Sequence, residues 1–375
     1  MENRSFRQCI SAAAVTPIRD SHRSEKETHS ARLQSISQKA DRDVTPLRFV
    51  LASLLAVVTL LTAGCTPSAS ETHPRPPIRL GSYEWPGSYW IDVAWVKGWF
   101  KEAGLNVERV DTNLKYFESL DAVAEGKLDG MGFTQFDLVR HVAAGHDLVG
   151  VAALDYSEGA EALISRPGIA RMRDLVGKRV ALERGTYLEY LLGIAAERAN
   201  VQLSEITLIE TPKVVTPEDF ASGRFDATFI WEPGVTELQN AIGGNRMFST
   251  ADFPGLTYNV FALRRDFVES RPEDVMALLR VWRRTVEFIR ENPDESCDIV
   301  SKLVNDPPSS VRKLLMEDRI LDVADNTRAF SYAAGFESLH GSWRRMNDFM
   351  LARDLVKRRV DSPQHLDSRF VNALD

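Results

Sequence analysis

The sequence predicts an α/β protein built as two lobes. The chain has 375 residues, and its 44% hydrophobic and 26% charged residues are typical of a globular protein. At roughly 100 to 200 residues per domain, this length favours two or three compact units. From Ile78 onward, short apolar runs alternate with amphipathic stretches, which indicates strands and helices around a largely parallel sheet. The alternation restarts after Leu163 and becomes mostly helical after Arg265, so we expect one lobe to be inserted into the other.

The first lobe is predicted to alternate strands and helices from Ile78 to about residue 160. Apolar runs predict the strands, and apolar residues at helical spacing predict the helices between them. Gly104 and Gly145 stand where glycine commonly ends a helix. The predicted strands cover residues 78–83, 106–111, 128–133 and 148–156, and the predicted helices cover residues 89–103, 116–125 and 136–144.

The second lobe repeats this pattern, and the chain then returns to the first lobe. Its predicted strands cover residues 179–183, 206–211 and 226–233, and its helices cover residues 187–200 and 217–225. After a strand at 259–264, helices are predicted at residues 272–291, 293–304, about 308–318 and 328–358. We therefore expect lobe 1 at 78–160 plus 257–375 and lobe 2 at 161–256, with two hinge crossovers near Glu161 and Thr257.

An uncharged segment near the start predicts export. Residues 49–64 contain no charged side chain, follow Arg48 and end at Cys65. The run is shorter than the ~20 residues that span a bilayer, and it has the basic flank and small-residue exit of a secretory signal. We therefore expect residues 1–64 to be a leader, with a short retained anchoring helix as the alternative. A start at Val44 would leave a conventional leader, which makes residues 1–43 a candidate for untranslated sequence.

The leader ends in the letters LTAGC, which resemble the lipobox of bacterial lipoproteins. The resemblance implies that the mature protein begins at a lipidated Cys65 and is anchored to the membrane on its periplasmic or extracellular face. Residues 65–77 are rich in Ser, Thr and Pro, a composition typical of a linker between an anchor and a folded part.

Charge, cysteine and histidine content exclude several kinds of function. The net charge of −7 argues against binding of nucleic acid through a basic surface. Only Cys65 and Cys297 remain after the expected processing, so no disulfide bond is predicted, and Cys297 is expected to be a small buried residue in a helix. The seven histidines form no group with ligand spacing, so we expect neither a metal nor a cofactor.

The candidate binding residues follow predicted strands in both lobes. Ligands in open α/β sheets bind beyond the carboxyl ends of the strands, and a cleft between two lobes collects such ends from both. We expect a small solute to be trapped by closure of the lobes on Trp85 and Asp155 from one side and on Thr186 and Trp231 from the other. The full set of predicted ligand-binding residues is Trp85, Tyr89, Gln135, Asp155, Ser157, Thr186, Tyr187, Trp231 and Glu232.

Several of these residues also have a purely structural interpretation. Trp85 and Tyr89 could pack between the lobes, and Asp155 could brace the turn that follows it. Thr186 is a candidate N-cap, with Glu189 completing a capping box, a geometry that also directs free amide N–H groups toward the cleft. Glu232 could serve only to begin the next helix.

Four blocks of the sequence together resemble one transport family. They are LDYSEGAEALIS, DLVGKRVALERGTYLEYLL, SGRFDATFIWEPGV and FSTADFPG, in this order within residues 78–290. The chain is similar in these blocks to the periplasmic substrate-binding proteins of the nitrate, taurine and sulfonate family of ABC importers. Relatives often have Asp where this chain has Glu161, and the region beyond residue 305 fits the family more loosely.

The resemblance implies a fold and a set of partners. The family has the two-lobed type II periplasmic-binding-protein, or venus-flytrap, fold with a hinge of two strands. Its members are not enzymes, and they hand a small solute to a membrane permease that is driven by an ATPase. We therefore expect a monomer that binds a small-molecule solute, an ABC permease and ATPase, and the membrane through its lipid, but no nucleic acid.

The polarity of the strand ends bears on the solute. They carry the acids Glu84, Asp155, Glu158, Glu161 and Glu232 against Arg184 alone. A site for nitrate or a sulfonate usually contains basic side chains or several N–H donors, and buried acids beside an anion are costly. The sequence therefore favours a neutral or cationic nitrogenous organic solute over a sulfonate or nitrate.

Two other functions remain open on the sequence alone. A lipoprotein that senses a ligand for a signalling partner would have the same sequence features. An enzyme related to the pyrimidine-precursor synthases would need the Cys/His-rich segment of that group, which is absent here.

Overall fold

The computed structural model describes residues 75–113, 115–211 and 215–374. The expected leader, the lipidation site at Cys65 and most of the linker lie outside these residues. Within the described ranges, no helix is both long and apolar enough to cross a membrane.

Six strands form the first sheet, in the order β11-β4-β10-β3-β1-β2. Strand β1 runs parallel to β2 and β3, whereas β10 lies antiparallel between β3 and β4. The sheet is therefore mixed and not largely parallel, because the returning chain enters it in the opposite direction. The strands are β1 (Ile78–Ser82), β2 (Val107–Asp111), β3 (Gly130–Thr134), β4 (Leu148–Ser157), β10 (Tyr258–Arg264) and β11 (Asp318–Ile320).

The second sheet contains the five strands that lie between β4 and β10 in the chain. Its order is β7-β6-β8-β5-β9, with β6 parallel to β7 and β8, and β5 antiparallel to β8 and β9. The strands are β5 (Glu161–Ser165), β6 (Arg179–Leu182), β7 (Thr207–Glu210), β8 (Ala227–Trp231) and β9 (Asn245–Ser249).

Helices cover both sheets and form most of the chain after β10. Many begin at a residue suited to that position: the Thr134 side chain accepts a hydrogen bond from the Asp137 amide, and Pro272 opens the longest helix. The α-helices are α1 (Tyr89–Lys97), α2 (Trp99–Glu102), α3 (Tyr116–Ala124), α4 (Gln135–Ala144), α5 (Tyr187–Arg198), α6 (Pro217–Ala221), α7 (Gly234–Ile242), α8 (Arg265–Ser270), α9 (Pro272–Glu291), α10 (Pro293–Val304), α11 (Pro308–Met316), α12 (Val323–Ala329), α13 (Leu339–Ala352) and α14 (Arg369–Asn372).

The largest differences from the sequence-based elements lie in short strands and in the last third of the chain. Strands β5, β9 and β11 were not predicted, since runs of three to five residues carry little periodicity. The predicted helix 328–358 is wrong, because α13 begins only after Ser338, whose hydroxyl accepts the His340 and Gly341 amides. The predicted helix 89–103 is divided at Gly98, which has φ +75°.

The core is continuous across the two lobes. Strand β5 shows how the second sheet contributes to it: Leu163 packs into the large core shared with the first lobe, whereas Ala162 and Ile164 belong to a smaller cluster on the opposite face. Helix α5 of the second lobe also joins the shared core, because the Tyr190 ring lies 5.4 Å from Phe349 of α13.

Candidate functional site

A cavity of about 290 Å³ lies between the two lobes. Its wall includes Tyr83 and Trp85, which follow β1, and Asn259 of β10, all in the first lobe. The second lobe contributes Thr186 at the start of α5 and Trp231 at the end of β8. The volume lies near the lower end of the range of small-molecule sites, which begins at roughly 300 Å³. Strand ends from both sheets thus meet at one cavity large enough for a small solute.

Aromatic residues from both lobes form much of the wall. Trp85 is buried in a small apolar cluster with Leu314 of α11, and Trp231 and Tyr83 pack against that cluster. The Tyr83 ring in turn lies 5.0 Å from the ring of Tyr116, another wall residue. Large rings from both lobes thus surround one apolar cluster at the cavity, and such rings can bury the apolar part of a ligand.

Glu161 is a buried carboxylate on the wall and Glu84 a half-buried one, and neither forms an ion pair within the described part of the chain. Glu161 is 2% exposed, and its Oε2 accepts a hydrogen bond from Thr250 Oγ1 at 3.3 Å. Burial raises the pKa of Glu161 to about 7. Burial, together with the neighbouring carboxyl of Asp306, raises the pKa of Glu84 to about 7 as well. Both groups are thus poised to change charge near neutral pH.

The other two carboxylates differ in their partners. Burial and repulsion from Glu210 raise the pKa of Glu183, which follows β6. Glu232, in contrast, accepts hydrogen bonds from the amide and hydroxyl of Thr236 at 3.0 and 2.9 Å and lies 3.2 Å from Lys313 Nζ. Glu232 therefore both lines the cavity and fixes the start of α7, so its two interpretations are compatible.

Thr186 caps α5, although the predicted capping box is not formed. Its hydroxyl accepts the Leu188 amide at 3.3 Å and donates to the Glu183 carbonyl at 2.7 Å. Glu189 accepts the amide of Gly185 at 2.8 Å instead of that of Thr186, and its other oxygen pairs with Arg353. The pairing with Arg353 is a long-range contact that the local spacing of the capping residues could not indicate.

Five of the nine predicted ligand-binding residues lie on the cavity wall: Trp85, Thr186, Tyr187, Trp231 and Glu232. The structure does not place the other four there, because their side chains are engaged elsewhere. Tyr89 is buried in α1, the Gln135 amide donates to the Leu339 carbonyl at 2.6 Å, and the Ser157 and Thr250 hydroxyls lie 2.6 Å apart.

Asp155, the fourth residue off the wall, lies behind Trp85. Its Oδ2 accepts the Gly87 amide at 3.1 Å, within the turn that follows Trp85. Its neighbour is Asp318 of β11, which is also buried. Burial raises the pKa of Asp155 to about 6, and burial together with the nearby Asp155 carboxyl raises the pKa of Asp318 well above its usual range. The two acids thus pack behind the wall residue Trp85 and do not line the cavity themselves.

The strand-end rule could have found further wall residues, such as Tyr83 after β1 and Thr134 at the end of β3, but it could not have found the wall residues that lie in helices. Glu183 directly follows β6, at the same kind of position as the predicted residues. Leu314 lies in a helix far along the chain, and Tyr116 begins a helix, so no local signal identified either. Among the residues that the structure describes, no three His, Cys, Asp or Glu side chains are grouped so as to hold a metal ion.

Comparison with known proteins identifies relatives of the chain. The sequence profile of the family described as NMT1/THI5 like matches residues 86–296. A putative binding protein of Brucella abortus is 27% identical over 237 residues, which cover 61% of this chain and 72% of the relative. A putative aliphatic sulfonates-binding protein of Bacillus subtilis is 24% identical over 332 residues, covering 86% of this chain and 95% of the relative.

Solved structures show the same fold. The periplasmic aliphatic sulphonate binding protein SsuA from Escherichia coli has a TM-score of 0.65 at 19% identity and covers 78% of this chain and 92% of its own. The desulfurization enzyme DSZB has a TM-score of 0.57 at 13% identity and covers 80% of this chain and 98% of its own. The chain therefore has the two-lobed α/β fold of periplasmic binding proteins, and the resemblance to the sulfonate and taurine group is confirmed.

Proposed function

Because the chain belongs to the NMT1/THI5 like family, whose profile matches more than half of it, we propose that it is an extracytoplasmic solute-binding protein of an ABC importer. It would deliver a small organic solute to the permease and ATPase of that importer. The observation that carries the proposal is the cavity whose wall comes from both lobes. A ligand that touches both lobes can favour the closed state, since it gains contacts there that the open state lacks.

Binding without catalysis is the function that the wall residues favour. The described residues of the wall include neither Cys nor His, and Cys297 is buried in α10. Catalysis of the usual hydrolytic or transfer kinds needs a nucleophile with a base or a bound metal. The relatives named as binding proteins support the same choice, although the fold is shared with the enzyme DSZB.

A nitrogenous organic solute fits this wall better than a sulfonate or nitrate. The relative from Bacillus subtilis is named for aliphatic sulfonates. In this chain, however, the described wall residues carry four Glu and no Lys, Arg or His, and Arg184 is not among them. Neutral N–H groups and cationic nitrogens can donate to carboxylates, whereas an anion would be repelled by them.

A thermal-shift screen of the exported protein tests the proposed function. Amines, amides, pyrimidines and sulfonates are added one at a time, because a solute that binds the folded state raises its melting temperature by mass action. Trp231→Ala should weaken binding of any hit by about one to two decades, as expected for loss of a buried aromatic contact worth ~1–3 kcal/mol. Trp95→Ala is the matched control, because Trp95 is 48% exposed and is not a wall residue. Equal loss of binding in both variants would contradict a site at the cavity.

We further propose that the protein is held at the membrane by a lipid on Cys65. The basis is the LTAGC exit of the apolar leader, which lies outside the described residues. Cys65→Ser should release the exported protein from the membrane fraction, whereas the parent protein should stay with it. Fractionation of cells and mass spectrometry of the mature N-terminus measure this, and an intact terminus upstream of residue 65 would contradict the proposal.

A further inference from the structure

The charges around the cavity are unbalanced. Of the four wall carboxylates, only Glu232 forms an ion pair within the described part of the chain, with Lys313. Glu84, Glu161 and Glu183 form no ion pair with any of the residues that the structure describes. Acidic neighbours add to the imbalance, because Asp306 lies beside Glu84, and Glu210 acts on Glu183 more strongly than the cation Arg140 does. The cleft thus concentrates carboxyl groups that no cation of the described residues balances, apart from Lys313 beside Glu232.

Glu161 is the most enclosed of these acids. It lies at the start of β5, and the groups that act on it are the hydroxyls of Ser157, Thr250 and Tyr187 and the carboxyls of Asp155 and Asp318. All of these groups are neutral or acidic. A carboxylate buried among such neighbours is neutralised either by a proton or by a cation that enters the site.

The aromatic wall restricts what kind of cation can enter. Trp85 and Trp231 pack around one apolar cluster, and the rings of Tyr83 and Tyr187 line the same cavity. The faces of such rings attract the positive charge of an alkylammonium group and also bury its carbon atoms. A hydrated metal ion would gain little from these rings, and the structure contains no cluster of three or more possible metal ligands in its described part.

We propose that the solute of this cleft is an organic cation, a protonated amine or a quaternary ammonium compound, whose charge is balanced by Glu161 and whose carbon skeleton contacts Trp85 and Trp231. This inference rests on the proposed function as a solute-binding protein. The proposed solute differs from the aliphatic sulfonates for which the relative from Bacillus subtilis is named. A sulfonate would add its own negative charge to the carboxylates that lack an ion pair.

The test compares solutes that share one arylalkyl skeleton and differ only in their end group. The end groups are trimethylammonium, primary amine, hydroxyl and sulfonate, and binding to the exported protein is measured by calorimetry. The two cations should bind at least about tenfold more tightly than the alcohol, and the sulfonate should bind most weakly. Glu161→Gln should lower the affinity for the cations by roughly 10- to 100-fold and leave the affinity for the alcohol nearly unchanged. Glu237→Gln is the control, because Glu237 is exposed on α7 and is absent from the wall.

The proton balance gives a second readout, which the parent protein alone already provides. The trimethylammonium group does not titrate, so any pH dependence of its affinity comes from the protein. The pKa of Glu161 is raised to about 7, and a bound cation favours the ionised carboxyl. Binding of the trimethylammonium compound should therefore release protons. Its affinity should increase as pH rises from about 6 to about 8. Glu84 titrates in the same range, so Glu161→Gln should reduce the proton release without abolishing it.

The possible outcomes separate the two proposals. If the alcohol or the sulfonate binds more tightly than both cations, and Trp231→Ala abolishes that binding, the proposal of an organic cation is wrong. The proposed solute-binding function then still stands. Proton uptake on binding of the trimethylammonium compound, or full affinity in Glu161→Gln, also overturns the organic cation. If no compound in either screen binds, the result counts against both proposals.

Discussion

At the scale of single residues, Asp155 shows how a side chain can matter to a site without lining it. Its carboxyl accepts the Gly87 amide, and Gly87 belongs to the turn that presents Trp85 to the cavity. A Cβ on Gly87 would lie 2.6 Å from Asp155 Cγ, so the turn can approach the carboxyl this closely only with glycine. Asp155 is therefore a positioning residue for Trp85.

The acid pair behind Trp85 predicts a dependence of stability on pH. The pKa of Asp155 is raised from 3.8 to about 6, and that of Asp318 is raised well above its usual range. A raised carboxyl pKa means that the folded state holds its proton more tightly than the unfolded state, so stability is lost as pH rises from about 4 through the raised pKa. Asp318→Asn removes this need for a proton. Its free energy of unfolding, relative to the parent, should therefore increase as pH rises from about 4 to about 7.

Chemical denaturation at a series of pH values measures this difference. Asp298→Asn is the control, because Asp298 is exposed on α10 and should follow the parent curve at every pH. Parallel curves for the parent protein and Asp318→Asn would show that the pair does not share a proton.

Substitution of Gly87 tests the close approach directly. Gly87→Ala should displace the turn or the Asp155 carboxyl and destabilise the protein by about 1–3 kcal/mol, the usual effect of overpacking. The Trp85 fluorescence should change with it. In an Asp155→Ala background the same substitution should cost much less, since the clashing atoms are gone. A double-mutant cycle of denaturation free energies measures the coupling, and additive effects would contradict the proposed contact.

At the scale of elements, the two connections between the lobes are fastened to each other. The first joins β4 to β5, and the second leads from β9 through the short turn Thr250–Asp252 to β10. Thr250 Oγ1 bonds to the Ser157 hydroxyl at 2.6 Å and accepts the Gly159 amide at 3.0 Å. One hydroxyl of the second connection thus satisfies two polar groups of the first, which keeps the two chain segments in register where the lobes meet.

Removal of this hydroxyl should loosen the connection. Thr250→Val keeps the shape of the side chain but removes the partner of the Gly159 amide and one partner each of the Ser157 hydroxyl and the Glu161 carboxyl. We expect a loss of about 1–3 kcal/mol in the free energy of unfolding, the usual effect of unsatisfied buried polar groups. Thr327→Val, on the exposed part of α12, should change it by less than about 0.5 kcal/mol. An equally small effect of Thr250→Val would argue against this role.

At the scale of the whole molecule, the lobes also meet through helices α5 and α13. Phe349 packs against Gly193, where a Cβ would lie 3.0 Å from its ring. Next to this contact the buried Glu189 of α5 forms an ion pair with Arg353 at the end of α13. Because the core is continuous through this contact, we expect the described part of the chain to unfold in one cooperative transition.

The ion pair between α5 and α13 provides the test at this scale. Arg353→Ala leaves the charge of Glu189 buried without a partner, so the unfolding midpoint should fall, with a loss of about 1–3 kcal/mol after allowance for the partial exposure of Arg353. The further change Glu189→Gln should recover much of the loss, because it removes the unpaired charge. Calorimetry of the three proteins measures both effects, and two separate transitions in the parent would contradict the shared core.

The sequence by itself determined the features that depend on local patterns. The period of apolar residues indicated most helices and the longer strands, and the four blocks around Asp155, Tyr187, Trp231 and Phe253 indicated the family that the profile match confirms. Strand-end position alone was enough to select Trp85 and Trp231, because in α/β sheets the chain must leave each strand at the edge where the ligand cleft forms.

Only the tertiary structure decided which side chains reach the cavity. Asp155 and Trp231 both lie at strand ends, yet Asp155 is held behind Trp85 by contacts with Gly87 and with Asp318, which is far away in the chain. The antiparallel strands β5, β9 and β11 and the wall residue Leu314 likewise depend on pairing between distant segments. Local periodicity states which residues are apolar and at what spacing, but the direction of a buried polar side chain is set by partners that the fold brings together.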